Sequence, residues 1–224
     1  MSFRFAIFDI DGTLVDSRAV ITACMDAAFV GAGFPAPGYE RTRRVIGLSL
    51  GAGLKHLAPD ADEATCTRIL ESYRDAFFTM RSDPALASPL YEGAAHLLID
   101  LVADGWTLGI ATGKSRRGLD AMMEQFGWHD LFAANFCADD GPGKPHPHMV
   151  LENIRVVGAD PARTIVIGDS EHDMAMAVAA STTAIGVTWG FGTHGEMLAA
   201  GAKEVVDTIS TLSKTMSKLS ISAS

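Results

Sequence analysis

Cysteine is scarce. Cys24, Cys66 and Cys137 are odd in number and far apart, and none sits in a Cys-x-x-Cys pair or a Cys/His cluster. That pattern supports neither a disulfide framework nor a thiolate metal centre; it reads as reduced, buried thiols in a cytoplasmic protein. Basic residues are outnumbered, 18 Lys and Arg against 27 Asp and Glu, for a formal net charge of −9. A nucleic-acid binder needs Lys/Arg surfaces to meet the phosphate backbone, so no nucleic-acid partner is expected. A run of about 18 apolar residues is missing, which argues against a membrane span. The N-terminus lacks a basic stretch followed by an apolar core and a small-residue cleavage site, so no secretory signal is expected.

What remains is a chain of 224 residues, 48% hydrophobic and only 20% charged. That length and composition allow one large domain, or one domain carrying a smaller insert, around a sizeable core. The stretch on which the rest is organised lies near the start. Phe3 to Ile10 is short and rich in β-formers, with Arg4 its only charge before Asp9, and reads as a buried parallel strand. It ends in Asp9-Ile10-Asp11-Gly12-Thr13. Two carboxylates two residues apart face roughly the same side of an extended backbone. Both stay ionised at close range only with a cation between them; otherwise one holds a proton. The pair therefore points to a divalent metal with oxygen ligands, to acid/base work, or to both.

From Asp16 to about Pro84 the pattern is helical throughout, with apolar periodicity over Arg18–Phe29 and over Glu63–Met80, where Ile69, Leu70, Tyr73 and Phe77 form one stripe. Arg41 to Leu57 supports one or two further helices among Gly47, Gly51 and Gly53. Strand–helix alternation then begins. Strands are expected at Trp106–Thr112, Ala134–Ala138, Thr164–Asp169, Thr183–Val187 and, at an edge, Glu204–Val206. Helices are expected at Glu92–Ala103, Arg116–Phe126, His148–Val157, Met174–Ala180 and Glu196–Ala200. The Ser/Lys-rich tail from Lys214 is expected to fray. Alternating β and α elements imply an α/β fold, a three-layer Rossmann-like parallel sheet, whose ligands bind beyond the carboxyl ends of the strands. Asp9, Thr112, Lys144 and Asp169 all lie just past expected strand ends. Three hard carboxylates suit Mg2+. Thr112-Gly113 offers a hydroxyl and exposed N–H groups that suit an anion, and Lys144 balances charge or holds a phosphate.

Asp9-Ile10-Asp11-Gly12-Thr13-Leu14-Val15-Asp16-Ser17, Thr112-Gly113-Lys114, Gly143-Lys144-Pro145 and Gly168-Asp169 with Asp173 together resemble, in order and spacing, the haloacid dehalogenase superfamily and its phosphoglycolate-phosphatase-like branch. The resemblance runs from Phe3 to about Leu212. It implies a core of residues 1–15 and 89–212, an inserted all-helical cap over 16–88, and a flexible tail over 213–224. The linkers to the cap are expected at Asp16-Ser17 and Asp83–Pro89. It implies a phosphatase that cleaves a small phosphorylated metabolite with Mg2+. Asp9 would be the nucleophile that forms an aspartyl-phosphate, and Asp11 the general acid and then base. Thr112, Gly113 and Lys144 would hold the phosphoryl group. Asp9, Asp169 and the main-chain carbonyl of Asp11 would bind the metal, and Asp173 would orient Lys144 or a metal-bound water. A phosphomutase of the β-phosphoglucomutase type shares these motifs, but Gly47-Leu48-Ser49-Leu50-Gly51 lacks the arginine that such enzymes usually carry there for a second phosphate. A non-catalytic phosphometabolite sensor is the remaining alternative. Arg43 and Arg44 precede that segment and are weighed equally as substrate contacts or as a solvated helix face. Arg116 and Arg117 read as surface charge, and His146 and His148 have no metal role.

Overall fold

The computed structural model describes residues 4–80 and 82–221; Phe3, where the first strand was expected to begin, and the last three residues of the expected tail lie outside them. Six strands form one parallel sheet: β1 (Arg4–Phe8), β2 (Trp106–Thr112), β3 (Ala134–Cys137), β4 (Thr164–Gly168), β5 (Thr183–Val187) and β6 (Glu204–Val206). Their order is β3-β2-β1-β4-β5-β6, so β1 lies inside the sheet, between β2 and β4. The chain first builds outward from β1 on one side and then returns to build on the other. In such sheets the crevice at the reversal takes the ligand.

Strand β1 shows why it lies inside. Its side chains alternate between two dry layers: Ala6 and Phe8 join one hydrophobic cluster, Phe5 and Ile7 the other. The first layer is covered by α5 (Ala94–Ala103), α6 (Arg116–Phe126) and α10 (Ile209–Ile221), through residues such as Leu98, Leu119 and Met216. The second is covered by α7 (His148–Val157), α8 (Glu171–Ala179) and α9 (His194–Ala199), through Met149, Met174 and Met197. The part of the expected loose tail that is described is therefore corrected: residues 213–221 are helical. Leu212 and Met216, four apart, share one helical face and bury it in the first layer.

Between β1 and α5 the chain forms α1 (Arg18–Gly31), α2 (Gly38–Thr42), α3 (Leu50–Leu57) and α4 (Glu63–Met80). These helices bury Met25, Phe29, Leu54, Leu57 and Ile69 in a small cluster of their own. The chain leaves and re-enters the sheet side by side. Asp16 N–H donates to Pro89 O at 2.8 Å, and Val15 pairs antiparallel with Leu90.

Candidate active site

Asp9 follows the last residue of β1, and its N–H donates to Ile167 O of β4 at 2.9 Å. Asp169 follows the last residue of β4. The two aspartates therefore end adjacent strands at the same edge of the sheet. Thr112 ends β2 next door, and Lys144 arrives from the loop after β3. All four are buried.

Lys144 organises the charge. Its Nζ lies 2.7 Å from Asp9 Oδ1 and 2.6 Å from Asp173 Oδ1, with none of the three side chains more than 2% exposed. Burial alone would drive the proton off this amine, but Asp173 and Asp9 outweigh burial and raise its pKa. Asp173 is held from behind by Ser170, whose N–H and Oγ–H both donate to Asp173 Oδ2, at 3.1 and 2.5 Å. The first of these bonds, with Asp173 N–H donating back to Ser170 Oγ at 3.3 Å, forms the capping box of α8, so the start of that helix also aims the carboxylate.

One lysine does not balance the carboxylates around it. Carboxylate oxygens of Asp9, Asp169 and Asp173 all lie within 4.8 Å of one another, and all three residues are buried. Asp9 is raised to about 7, chiefly by burial, with Lys144 pulling down and Asp173 and Asp11 pushing up. Asp169 is raised well above the usual carboxylate range by burial, then by Asp173 and Asp9. Among the described residues, Asp9 Oδ2 has no hydrogen-bond partner although it is buried. A buried carboxylate oxygen without a donor, among hard oxygen donors, fits a small divalent cation such as Mg2+.

Asp11 was expected to offer the metal its main-chain carbonyl, and its side chain stays outside the close cluster, paired with Lys114, Nζ to Oδ1 at 2.9 Å. The third carboxylate of the cluster is that of Asp173, which Ser170 and Lys144 turn inward. Thr112 Oγ1 accepts from Lys114 N–H at 3.3 Å, and Gly113, half-buried, sits at the bend between them. Arg116, read as surface charge, is tied to Asn135 and Asp140 across the neighbouring loop. Arg117 lies over the ring of Phe78. His148 bonds Asp140 O and His146, away from the cluster. Cys24 and Cys137 are buried thiols as expected, but Cys66 is only half-buried on the thin face of α4.

Several residues that complete the site escaped the sequence reading. Thr13 Oγ1 donates to Asp169 Oδ1 at 3.1 Å, and Phe191 N–H donates to Asp169 Oδ2 at 2.7 Å. Residues 190–192 wrap the carboxylate so closely that a Cβ on Gly190 would lie 2.2 Å from Asp169 Oδ2. The run Gly190-Phe191-Gly192 was the available signal, since alternating glycines permit close backbone approach. Lys114 lies under Phe77 of α4, Nζ 5.7 Å from the ring centroid, and Phe77 stacks with Tyr73 at 6.2 Å. The apolar stripe of α4 thus turns two aromatics toward Asp11. Segment Gly47–Ser49 of the insert rests on the rim itself: a Cβ on Gly113 would meet Gly47 O and Leu48 O at 2.5 Å. Arg43 is not the solvated helix residue that was one expectation, for it reaches across to Phe191 O and Glu196.

A parallel sheet, a helical insert after the first strand and a carboxylate–lysine rim together define a Rossmann-like hydrolase core. The chain belongs to the haloacid dehalogenase-like hydrolases, whose family model matches residues 6–187. It is 34% identical to "Probable phosphatase IndB" of Dickeya dadantii, over 91% of this chain and 89% of that protein. It is 27% identical to a phosphoglycolate phosphatase of Pseudomonas putida, over 91% of this chain and 75% of that protein. A hydrolase structure from Pseudomonas syringae superposes with a TM-score of 0.85 at 26% identity, covering 96% of this chain and 98% of the other. No helix among the described residues is long and apolar enough to cross a membrane.

Proposed function

We propose that the chain is a Mg2+-dependent phosphatase that hydrolyses a small phosphomonoester of the phosphoglycolate type through an aspartyl-phosphate on Asp9. The observation that carries this reading is the buried Asp9–Lys144–Asp173 set beside an Asp9 oxygen with no partner. A carboxylate attacks a phosphate dianion only where positive charge offsets their repulsion. Lys144 supplies one such charge. Asp9 and Asp169, with the Asp11 carbonyl, would hold the metal, which when bound neutralises charge on the transferring phosphoryl group.

Asp9 attacks phosphorus and the bond to the leaving oxygen breaks. Asp11 gives that oxygen a proton, then takes one from the water that attacks the aspartyl-phosphate and releases phosphate. Thr112, the Gly113 N–H and Lys144 hold the equatorial oxygens. The insert acts as a cap. Segment Gly47–Ser49 shuts against Gly113 and excludes water, which strengthens every charge interaction at Asp9. Tyr73, Phe77 and Lys114 then face the leaving group, and the space under a closed cap favours small esters over phosphoproteins. Buried, unpaired Cys24 and Cys137 accord with a reducing compartment, the cytoplasm.

The test is a screen of small phosphomonoesters for phosphate release with Mg2+ and with chelator. Turnover that requires Mg2+ and leaves phosphate on Asp9 in quenched samples is expected. Binding of phosphate analogues with no turnover of any ester would replace this reading with a sensor.

A further inference from the structure

Asp169 is oriented by a peptide that the insert grips. Phe191 donates its N–H to Asp169 Oδ2 at 2.7 Å, and Gly192 N–H donates to Asp169 O at 3.0 Å. The opposite side of the same Phe191 residue belongs to the insert. Phe191 is 3% exposed and packs in a cluster with Val20, Ile21, Cys24 and Ile46. Its carbonyl accepts from Arg43 Nη1 at 3.3 Å. Arg43, just past the end of α2, is braced in turn by Glu40 of that helix, Nε to Oε2 at 3.0 Å, and by Glu196 of the core, Nη1 to Oε2 at 3.6 Å. Glu196 is held still by Thr193 N–H at 2.8 Å. The guanidinium side chain is 15% exposed and spans insert and core.

From this geometry we propose that Arg43 is a positioning residue for the divalent cation. It acts through the Phe191 peptide on Asp169, so that docking of the insert and binding of Mg2+ reinforce each other. The inference rests on the metal reading given under Proposed function. Two donors to Asp169 remain when the insert lifts, Thr13 Oγ1 and Phe191 N–H, but the second then sits on a peptide that has lost its clamp. Outer partners of a metal ligand act by restricting its orientation, and their loss weakens metal binding by about 10- to 100-fold. Coupling of this kind is reciprocal: what the insert does for Mg2+, Mg2+ does for the insert.

The experiment measures Mg2+ binding to the full chain by calorimetry, without substrate, and amide hydrogen exchange with and without Mg2+. Arg43→Ala is expected to raise the Mg2+ Kd about tenfold. Exchange at residues 190–192 should quicken, and the slowing that Mg2+ imposes on residues 43–49 should disappear. Arg43→Lys, which keeps one donor and the charge, is expected to recover part of the affinity, and it carries the test if Arg43→Ala does not fold. Arg44→Ala makes the same change of charge one residue away on an exposed side chain and is expected to leave Kd within about twofold, since surface charges act weakly. A lowered Tm with unchanged Kd in both Arg43 variants would make Arg43 a structural clamp only and overturn the proposal. An Arg44→Ala effect equal to that of Arg43→Ala would overturn it too, by reducing it to net charge. Failure of the unmodified chain to bind Mg2+ is a separate result, which overturns the metal reading together with this inference.

Discussion

Strand β1 and helix α4 embody opposite ways of using sequence. β1 has five residues and buries all but Arg4, with side chains entering dry layers on both faces. α4 has eighteen residues and fully buries only Ile69. The first is held on every side and presents Asp9 with little freedom, as a crowd of buried charges demands. The second is held along one stripe, which turns Tyr73 and Phe77 inward and leaves its other faces open to solvent. The contrast teaches that the buried charges stand on the part of the molecule packed from every side, whereas the insert is packed from one.

The contrast breaks most sharply at Asp9. Asp9→Asn keeps the shape and removes one charge from the cluster. Turnover should fall at least about 10⁴-fold, the scale of losing a covalent nucleophile. The metal-free fold should lose no stability, because a buried carboxylate crowded by Asp173 and Asp11 is gone. Steady-state phosphate release and thermal melts check both halves, and residual activity within a hundredfold would remove Asp9 from the nucleophile role.

Next in size is stiffness itself. Phe8→Ala empties a fully buried site in β1 and should cost about 3 to 5 kcal/mol of global stability, whereas Ile69→Ala should cost about 2 to 5 kcal/mol within the insert. Amide exchange separates the cases. Ile69→Ala should quicken exchange across α1 and α4 while β4 keeps its protection; equal loss in β4 would show that the insert is not a unit of its own.

The charge cluster also carries a pH signature. Asp9 is raised to about 7, mainly by burial, from the ordinary aspartate value of 3.8. Between those values the folded metal-free chain holds a proton that the unfolded chain has released. Folding is therefore weakened as pH rises through that window. Mg2+ needs its carboxylate ligands ionised, and Asp169 is raised as well as Asp9, so its Kd should improve by at least about tenfold per pH unit below about 7. Calorimetry from pH 5.5 to 8.5 checks the slope, and a flat profile would detach Asp9 from the metal. The smallest effect is at the start of α8. Ser170→Ala removes an N-cap and should cost about 1 kcal/mol, with a few-fold loss of turnover, because Asp173 keeps its ion pair with Lys144.

Much of the fold was legible because it follows local rules. A short, continuous apolar and β-rich run marked β1, similar runs marked β2 and β4, and glycines ended α6 and α7 with a left-handed residue. The placement of Asp9, Thr112, Lys144 and Asp169 on one rim was legible for the same reason: each follows or ends a strand of a parallel sheet. The end of the chain was misread because its Ser/Lys composition hid a helical face anchored by a few widely spaced apolar residues, Leu212 and Met216 among them.

By itself, then, the sequence determined which strands alternate, where they end and where the helical insert begins, since backbone geometry and hydrophobic periodicity act over neighbouring residues. Which carboxylates share a space was decided only in three dimensions. Asp11 lies two residues from Asp9, yet its side chain turns to Lys114, while Asp173, far along the chain, closes on Lys144. Likewise Phe191 and Arg43 are 148 positions apart and meet beside Asp169. Partners at such separations are selected by packing and by the need to satisfy buried charge, and neither leaves a periodic trace in the chain.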